Sequence, residues 1–329
     1  MNILILSAKP QNEGCKSIAK AAWKKGHKVS IKDPKFLYLL ISESLNGYDR
    51  IYDAFEKDQK PERLPARAYD CIIPRIGSNL SFGVAVLEHL NNNLKIFATQ
   101  TPAGILAASN KLLSLQKISQ AKIRVPRTVF ADRAAHVKWL IEQVGDLPAI
   151  GKGLHGSQGN SVYPLNDEYQ SNVFLENFYN KKENLLLQKF IDGNSKDIRT
   201  VVVDGEVVAA MERTAAKGEL RANISKGGTG KKIELSNDEK DIAIRAARAV
   251  GLEVAGVDMM KDSSGRLFVI EVNGNYGYGI ETITGVDIST PLIEYCERNY
   301  KKGNSRNIES TAALFGFPEA VTNELLKMV

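Results

Sequence analysis

The 329-residue chain is poor in cysteine and histidine and has no long apolar run, and each shortage closes off a class of function. Cys15, Cys71 and Cys296 stand alone, with no CxxC and no Cys/His cluster, which excludes a disulfide scaffold and a zinc ribbon and fits a reducing cytosol. His27, His89, His136 and His155 are scattered without metal-ligand or nucleophile spacing, so acid/base catalysis by histidine is not indicated. No apolar run reaches the ~18 residues a membrane helix needs, and MNILILSAKPQ leaves its apolar stretch too soon for a signal peptide. A cytoplasmic protein with no membrane partner is expected. GxSxG is missing, and GxGxxG does not follow the first strand, which removes the hydrolase and dinucleotide readings. Nor does charge of one sign dominate: 44 Lys+Arg against 38 Asp+Glu leave +6, spread along the chain. That argues against a nucleic-acid patch and for a mild preference for anionic ligands.

What is present alternates in two grammars. The run NILIL, a helical pattern over Ile18 to Trp23, VSIKD at Val29 to Asp33, the apolar run Tyr69 to Ile73, the periodic Val84 to Leu90 and a strand at Lys95 to Phe97 read as a parallel sheet with crossover helices. The segment Asp58 to Arg67, with its two prolines and five charges, reads as a surface loop inside that α/β domain. A helix is expected over Ile105 to Ala121, and the order then becomes α+β: strand to Phe130, helix Ala134 to Val144, strand Ala149 to Lys152, a glycine-rich loop, strand Ser161 to Pro164, and close antiparallel pairs from Leu185 onward. Ser236 with Glu239 forms a capping box for a helix over Asn237 to Val250, and Pro291 to Tyr300 is helical.

Chemistry concentrates on these pairs. In VAGVDMM-KDSSGR-LFVIEVN, a two-residue turn at Ser264-Gly265 sets Ser263 against Arg266 and Asp258 against Glu271, with Asn273 on the same face. Two carboxylates and an amide oxygen on one patch describe a magnesium site that keeps positions open for phosphate, with an exposed, merely charged hairpin as the bland reading. The loop Ile150 to Ser161 carries Lys152, Gly156, Gln158 and Gly159; it reads equally as a phosphate-approaching lid or as a plain Gly-rich turn. The Asp204-Gly205 hairpin places Asp197 against Glu212 with Arg199 on the same face, either a ribose and substrate patch or a surface ion-pair ladder. Arg213, Lys217, Arg221 and Asn223 form a cationic stretch able to neutralise an acyl phosphate.

Taken in order, Lys111, Lys152 with its glycine loop, Gln188-Lys189-Phe190-Ile191, Asp197-Ile198-Arg199, Arg221-x-Asn223, Asp258 and Glu271-Val272-Asn273 resemble the ATP-grasp carboxylate–amine ligases, and within them the RimK-like ribosomal-protein glutamate ligases. The likeness extends through Ile73-Pro74-Arg75-Ile76-Gly77 to the N-terminus. It implies an α/β N-terminal domain (1–104) before an α+β ATP-grasp fold of two subdomains (105–187 and 188–300), leaving 301–329 without an assigned role. It also implies ATP with Lys111 and Lys152 on its phosphates, Gln188 to Ile191 as the adenine hinge and Asp197 near the ribose. Two magnesium ions, replaceable by manganese, are implied on Asp258, Glu271 and Asn273, with Arg221 and Asn223 as catalytic residues and Arg75, Ser78 and Arg199 toward the acceptor. The implied reaction joins an acceptor carboxylate on a protein, peptide or small molecule to an amino acid, glutamate first, in a homo-oligomer. Lys189 and the Gly274 to Gly279 segment depart from the group's usual residues, which bears on substrate identity. The competing readings are a non-catalytic nucleotide-binding regulator, a kinase-like phosphate transfer, and the same ligase chemistry on a small peptide or cofactor.

Overall fold

The structure, a computed structural model, describes residues 1–41, 50–55, 59–65, 68–131, 136–154, 162–180, 185–216, 224 and 227–300. The first unit runs β1 (Asn2–Leu6), α1 (Glu13–Lys24), β2 (Lys28–Lys32), β3 (Leu37–Leu40), β4 (Arg50–Asp53), β5 (Glu62–Arg63), β6 (Cys71–Pro74), α2 (Leu80–Glu88) and β7 (Phe97–Ala98). Its main sheet, in the order β2-β1-β6-β7, is parallel throughout. The unbroken apolar β1 is central and covered on both faces, the burial such a run requires. α1 starts where Asn12 caps it, its Oδ1 accepting from the Cys15 amide at 2.7 Å. The small antiparallel sheet β3-β4-β5 is absent from the sequence reading. β5 falls within the segment read as a loop, whose prolines and charges hide so short a strand.

The second unit comprises α3 (Pro102–Ser109), α4 (Lys111–Gln120), β8 (Thr128–Ala131), α5 (Val137–Val144), β9 (Ala149–Gly153), β10 (Val162–Leu165), α6 (Glu168–Asn180) and β11 (Leu185–Lys189). The single helix expected over Ile105 to Ala121 is two. Asn110 leaves helical geometry at φ −101°, ψ 106°, and its side chain caps α4. A polar residue that competes for backbone hydrogen bonds breaks the apolar periodicity here, and the break puts Lys111 in the first turn of a new helix. Helix α6, rich in Asn and aromatics, escaped the periodic reading for want of strong helix formers. The sheet order is β10-β9-β11-β8. β11 stays in this sheet through Lys189, two residues past the expected division at 187/188.

The third unit holds β12 (Lys196–Val203), β13 (Glu206–Thr214), β14 (Thr229–Lys232), α7 (Asn237–Ala249), β15 (Val254–Lys261), β16 (Leu267–Asn273), α8 (Gly279–Thr284) and α9 (Ser289–Asn299). Its five-stranded antiparallel sheet is ordered β14-β13-β12-β15-β16. The capping box on α7 forms as expected: the Ser236 amide donates to Glu239 Oε2 at 2.8 Å and the Glu239 amide to Ser236 Oγ at 3.3 Å. One apolar core joins Leu4, Leu6 and Ile72 of the N-terminal sheet to Val257, Val269 and Val272 of the large sheet. The small sheet packs Leu185 and Leu187 with Val137, Leu140 and Val144 in a core of its own. No helix among the described residues is long and apolar enough to cross a membrane.

Candidate active site

The large sheet assembles the charged residues by register. Asp258 on β15 stands between Arg199 on β12 and Glu271 on β16, and Asp197 on β12 stands opposite Arg213 on β13. The predicted Asp258–Glu271 pair is therefore present, although the turn behind it differs. The connection is a three-residue loop, with the Asp262 amide bonded to the Arg266 carbonyl at 3.0 Å and Gly265 at φ +79°. That arrangement replaces the expected Ser263–Arg266 pairing. A bulge between Asp258 and Met259 then inserts Ile270 and restores the expected register at the carboxylates.

The other hairpin behaves in the opposite way. Its turn is the expected one, with Asp204 at φ +50° and Gly205 at φ +80°. A bulge at Val201/Val202 then inserts Val208 and turns Asp197 from Glu212 to Arg213. An acid–acid pair becomes a bidentate ion pair, Arg213 Nε and Nη2 donating to Asp197 at 2.6 and 2.7 Å. Glu212 is instead paired with Lys196 and Lys231, each at 3.1 Å.

Arg213 also reaches Asp258 at 3.3 Å, and Arg199 grips both oxygens of Asp258, Nη2 donating to Oδ2 at 2.6 Å. The result is an alternating chain, Asp197–Arg213–Asp258–Arg199, largely withdrawn from water. Burial opposes ionisation of Asp258, yet the two guanidiniums hold its carboxyl below the ordinary aspartate range. Asp197 is shifted upward, burial outweighing Arg213. Glu271 is likewise pushed up, first by burial and then by the Asp258 charge, with Lys111, Lys152 and Arg199 acting in the other direction.

A cleft between the two sheets is lined by Lys111, Ser114, Leu115, Lys152, Leu186 and Glu271, among others. Lys152 projects from β9 and donates to Gln188 Oε1 at 2.6 Å, while Gln188 Nε2 donates to Thr128 Oγ1 at 2.9 Å. Burial outweighs the nearby Glu271 charge and lowers the Lys152 ammonium to about 8. Such a cation gains strongly from an anionic ligand. Ser114, one turn beyond Lys111 on α4, is buried, and its Oγ has no partner among the described residues. The sequence reading passed over it; the i, i+3 spacing from Lys111 was the available signal. Thr128 was missed as well, and Arg213, expected in a cationic stretch for an acyl phosphate, is instead paired with Asp197 and Asp258, because only the register and the sheet packing bring these partners together.

Divalent-cation binding can be tested on the orphaned groups. Glu271 and Asn273 are half-buried on one face of β16, and Asn273 Nδ2 has no hydrogen-bond partner among the described residues, so no donor contact fixes the amide and its oxygen can serve as a ligand. No cluster of three or more His, Cys, Asp or Glu able to hold a metal ion is found among the described residues, so the set is two carboxylates and an amide. Glu271 and Asn273, with lysines across the cleft, suit a hard cation shared with a ligand's phosphates, whereas Asp258 could join them only by giving up a hydrogen bond to Arg199.

Several expected placements change. Arg199 faces Asp258 rather than an acceptor, and Asp197 is occupied by Arg213 rather than presented to a ribose. Arg75, expected toward an acceptor, is only 7% exposed, donates to the Tyr276 carbonyl at 2.7 Å and lies 5.1 Å from the ring centres of both Tyr276 and Tyr278. Ser78 is exposed. Along the expected hinge, the Lys189 amide is taken by the Arg127 carbonyl at 2.8 Å, Phe190 is half-buried and Ile191 is buried. Arg221, Asn223, Gly156, Gln158 and Gly159 lie outside the described residues.

Comparison with known proteins gives a consistent picture. Residues 108–296 match the RimK-like ATP-grasp domain and residues 1–105 the RimK PreATP-grasp domain. A Mannheimia succiniciproducens protein described as "Probable alpha-L-glutamate ligase" is 40% identical over 302 residues, covering 91% of this chain and 98% of its own. One from Syntrophotalea carbinolica with the same description is 36% identical over 309 residues, covering 93% and 98%. Among solved structures, the ATP-grasp ligase PsnB with a phosphomimetic minimal precursor, Mg and ADP superposes with a TM-score of 0.69 at 18% identity, covering 91% of this chain and 98% of that one. At that identity the likeness concerns the fold.

Proposed function

The chain belongs to the RimK-like ATP-grasp family, and from that premise we propose that it joins an acceptor carboxylate to the amine of glutamate, through an acyl phosphate, with release of ADP and phosphate. It is an ATP-dependent carboxylate–amine ligase. The observation that carries the reading is that Lys111, Lys152 and Glu271 line one cleft together. Phosphoryl transfer asks a protein for positioning and charge neutralisation more than for covalent chemistry, and these are the groups for it.

Lys111 and Lys152 bind and orient the phosphates, and Gln188 holds the Lys152 ammonium in place. Leu115 and Leu186 line the cleft and limit water there. Asp258, Glu271 and Asn273 would hold magnesium, which when bound supplies positive charge on the phosphate oxygens. Arg199 and Arg213 keep Asp258 ionised, and Arg199 would yield one of its oxygens to the ion. Arg221 and Asn223 stabilise the charge on the acyl phosphate. We extend the proposal to two ions, manganese as a substitute, a cytoplasmic homo-oligomer, and an acceptor on a protein, a peptide or a small molecule.

Incubation with ATP, magnesium, labelled amino acids and a cell extract should release ADP and add a glutamate mass to one species. A phosphorylated product without a new C–N bond, or a protein that neither turns over nor binds nucleotide across a wide panel, overturns the reading. The lysine provides a second test. Affinity for a non-hydrolysable ATP analogue should be level below about pH 8 and fall above it as Lys152 loses its proton. Lys152→Met should bind weakly with no such step, as titration calorimetry from pH 7 to 9 will show; an unchanged step in the variant assigns the titration elsewhere.

A further inference from the structure

Two N-terminal side chains are spent on the backbone that follows the proposed metal ligands. Gln100, just past β7 and 4% exposed, donates from Nε2 to the Val254 carbonyl at 2.7 Å and to the Gly274 carbonyl at 2.6 Å. Val254 opens β15, and Gly274 follows Asn273, the last residue of β16. The two hydrogens of one amide thus tie two strand ends together just beyond the Gly256–Asn273 pair, where the ladder stops. Two residues further on, Arg75 holds the Tyr276 carbonyl at 2.7 Å, its guanidinium against the rings of Tyr276 and Tyr278. Between these points Asn275 sits so near Gly77 that a Cβ there would come within 2.5 Å of its amide nitrogen.

The segment after β16 is not part of a strand or helix until α8, so its buried carbonyls must find donors elsewhere. Those donors come from a different domain. We infer that Gln100 and Arg75 are positioning residues: by holding the carbonyls of Gly274 and Tyr276 they fix the end of β16 on which Glu271 and Asn273 stand, so the N-terminal domain sets the geometry of the oxygen ligands. The inference rests on the assignment of Asp258, Glu271 and Asn273 to a divalent ion. Groups that orient metal ligands typically change metal affinity by about 10- to 100-fold when removed, without touching the ion.

Gln100→Met keeps the volume and removes both donors, while Arg75→Lys keeps the charge and loses the planar fork. Mn²⁺ affinity, read by electron paramagnetic resonance with a non-hydrolysable ATP analogue present, should fall about 10- to 100-fold in Gln100→Met and by less in Arg75→Lys. Metal-free nucleotide affinity should stay at the wild-type value in both. Added methylguanidinium should restore part of the Mn²⁺ affinity of Arg75→Ala, which a general loosening of the fold does not permit. Should Gln100→Met fail to fold, the Arg75 variants carry the test alone. Unchanged Mn²⁺ affinity in variants of a protein whose wild type binds the ion, or a parallel loss of nucleotide binding, overturns the inference. Wild-type protein that binds nucleotide but no Mn²⁺ overturns the metal assignment beneath it instead.

Discussion

Replacing Glu271 with glutamine is expected to abolish turnover and, at the same time, to make the nucleotide-free protein more stable. Glutamine preserves size and hydrogen-bonding capacity but removes a charge from the cleft shared with Lys111 and Lys152. A lost metal-ligand charge removes several kcal/mol of transition-state stabilisation, on the order of 10²- to 10³-fold or more in kcat. The stability change has the other sign. Burial and the Asp258 charge raise the Glu271 carboxyl above its ordinary value, so its ionised form costs the folded state free energy once the pH exceeds the unfolded value. Above the raised folded value that cost is fully present in the wild type and absent in Glu271→Gln; as the pH falls through that value, the two proteins converge. ADP release and thermal midpoints at pH 7.5 and 4.5 check both parts. Turnover within tenfold of wild type sinks the assignment, and a variant that is less stable at pH 7.5 makes Glu271 a structural group.

Arg213→Met should produce the largest loss of stability of any single change at the site. Arg213 bridges Asp197 and Asp258, and its side chain is 6% exposed. Removing one partner from a buried ion pair costs about 3–5 kcal/mol, because the remaining charge is left without compensation. Here two carboxylates lose a guanidinium, and Arg199 remains to hold only Asp258. The pH dependence follows by linkage. In the wild type Asp258 sits below its unfolded value and so contributes stability that is present at neutral pH and lost only as the pH falls through the folded value. In the variant both carboxyls move up, so the deficit is greatest at pH 7 to 8 and shrinks toward pH 4 as they take up protons. Urea unfolding followed by circular dichroism at the two pH values measures it, and a deficit that does not change with pH contradicts the ion-pair account.

The hairpins show how far local pattern reaches. Asp204-Gly205 specifies its turn because both positions need positive φ, and the turn forms as its residues require. From there the register of Asp197 was misjudged by one residue, since nothing in the run of valines and alanines marks Val208 as the inserted residue. At the other hairpin two departures, a longer loop and a bulge at Ile270, compensate, and the expected Asp258–Glu271 pair survives them. Bulges arise where sheet twist and packing demand them, which is a property of neighbouring strands and not of the strand itself.

Local sequence alone therefore determined the residue chemistry, the parallel and antiparallel halves, the capped helix α7 and the strands that carry Asp258 and Glu271, all of which rest on spacings of a few residues. Only the tertiary structure decided that Arg213 and Arg199 clasp Asp258, that Asn110 splits a helix so that Lys111 begins the second part, and that Gln100 and Arg75 hold the end of β16. The three hydrogen bonds of Gln100 and Arg75 join residues 154, 174 and 201 positions apart. A buried carbonyl accepts a hydrogen from whichever donor the packed fold brings to it, and no periodicity in the chain records which one that will be.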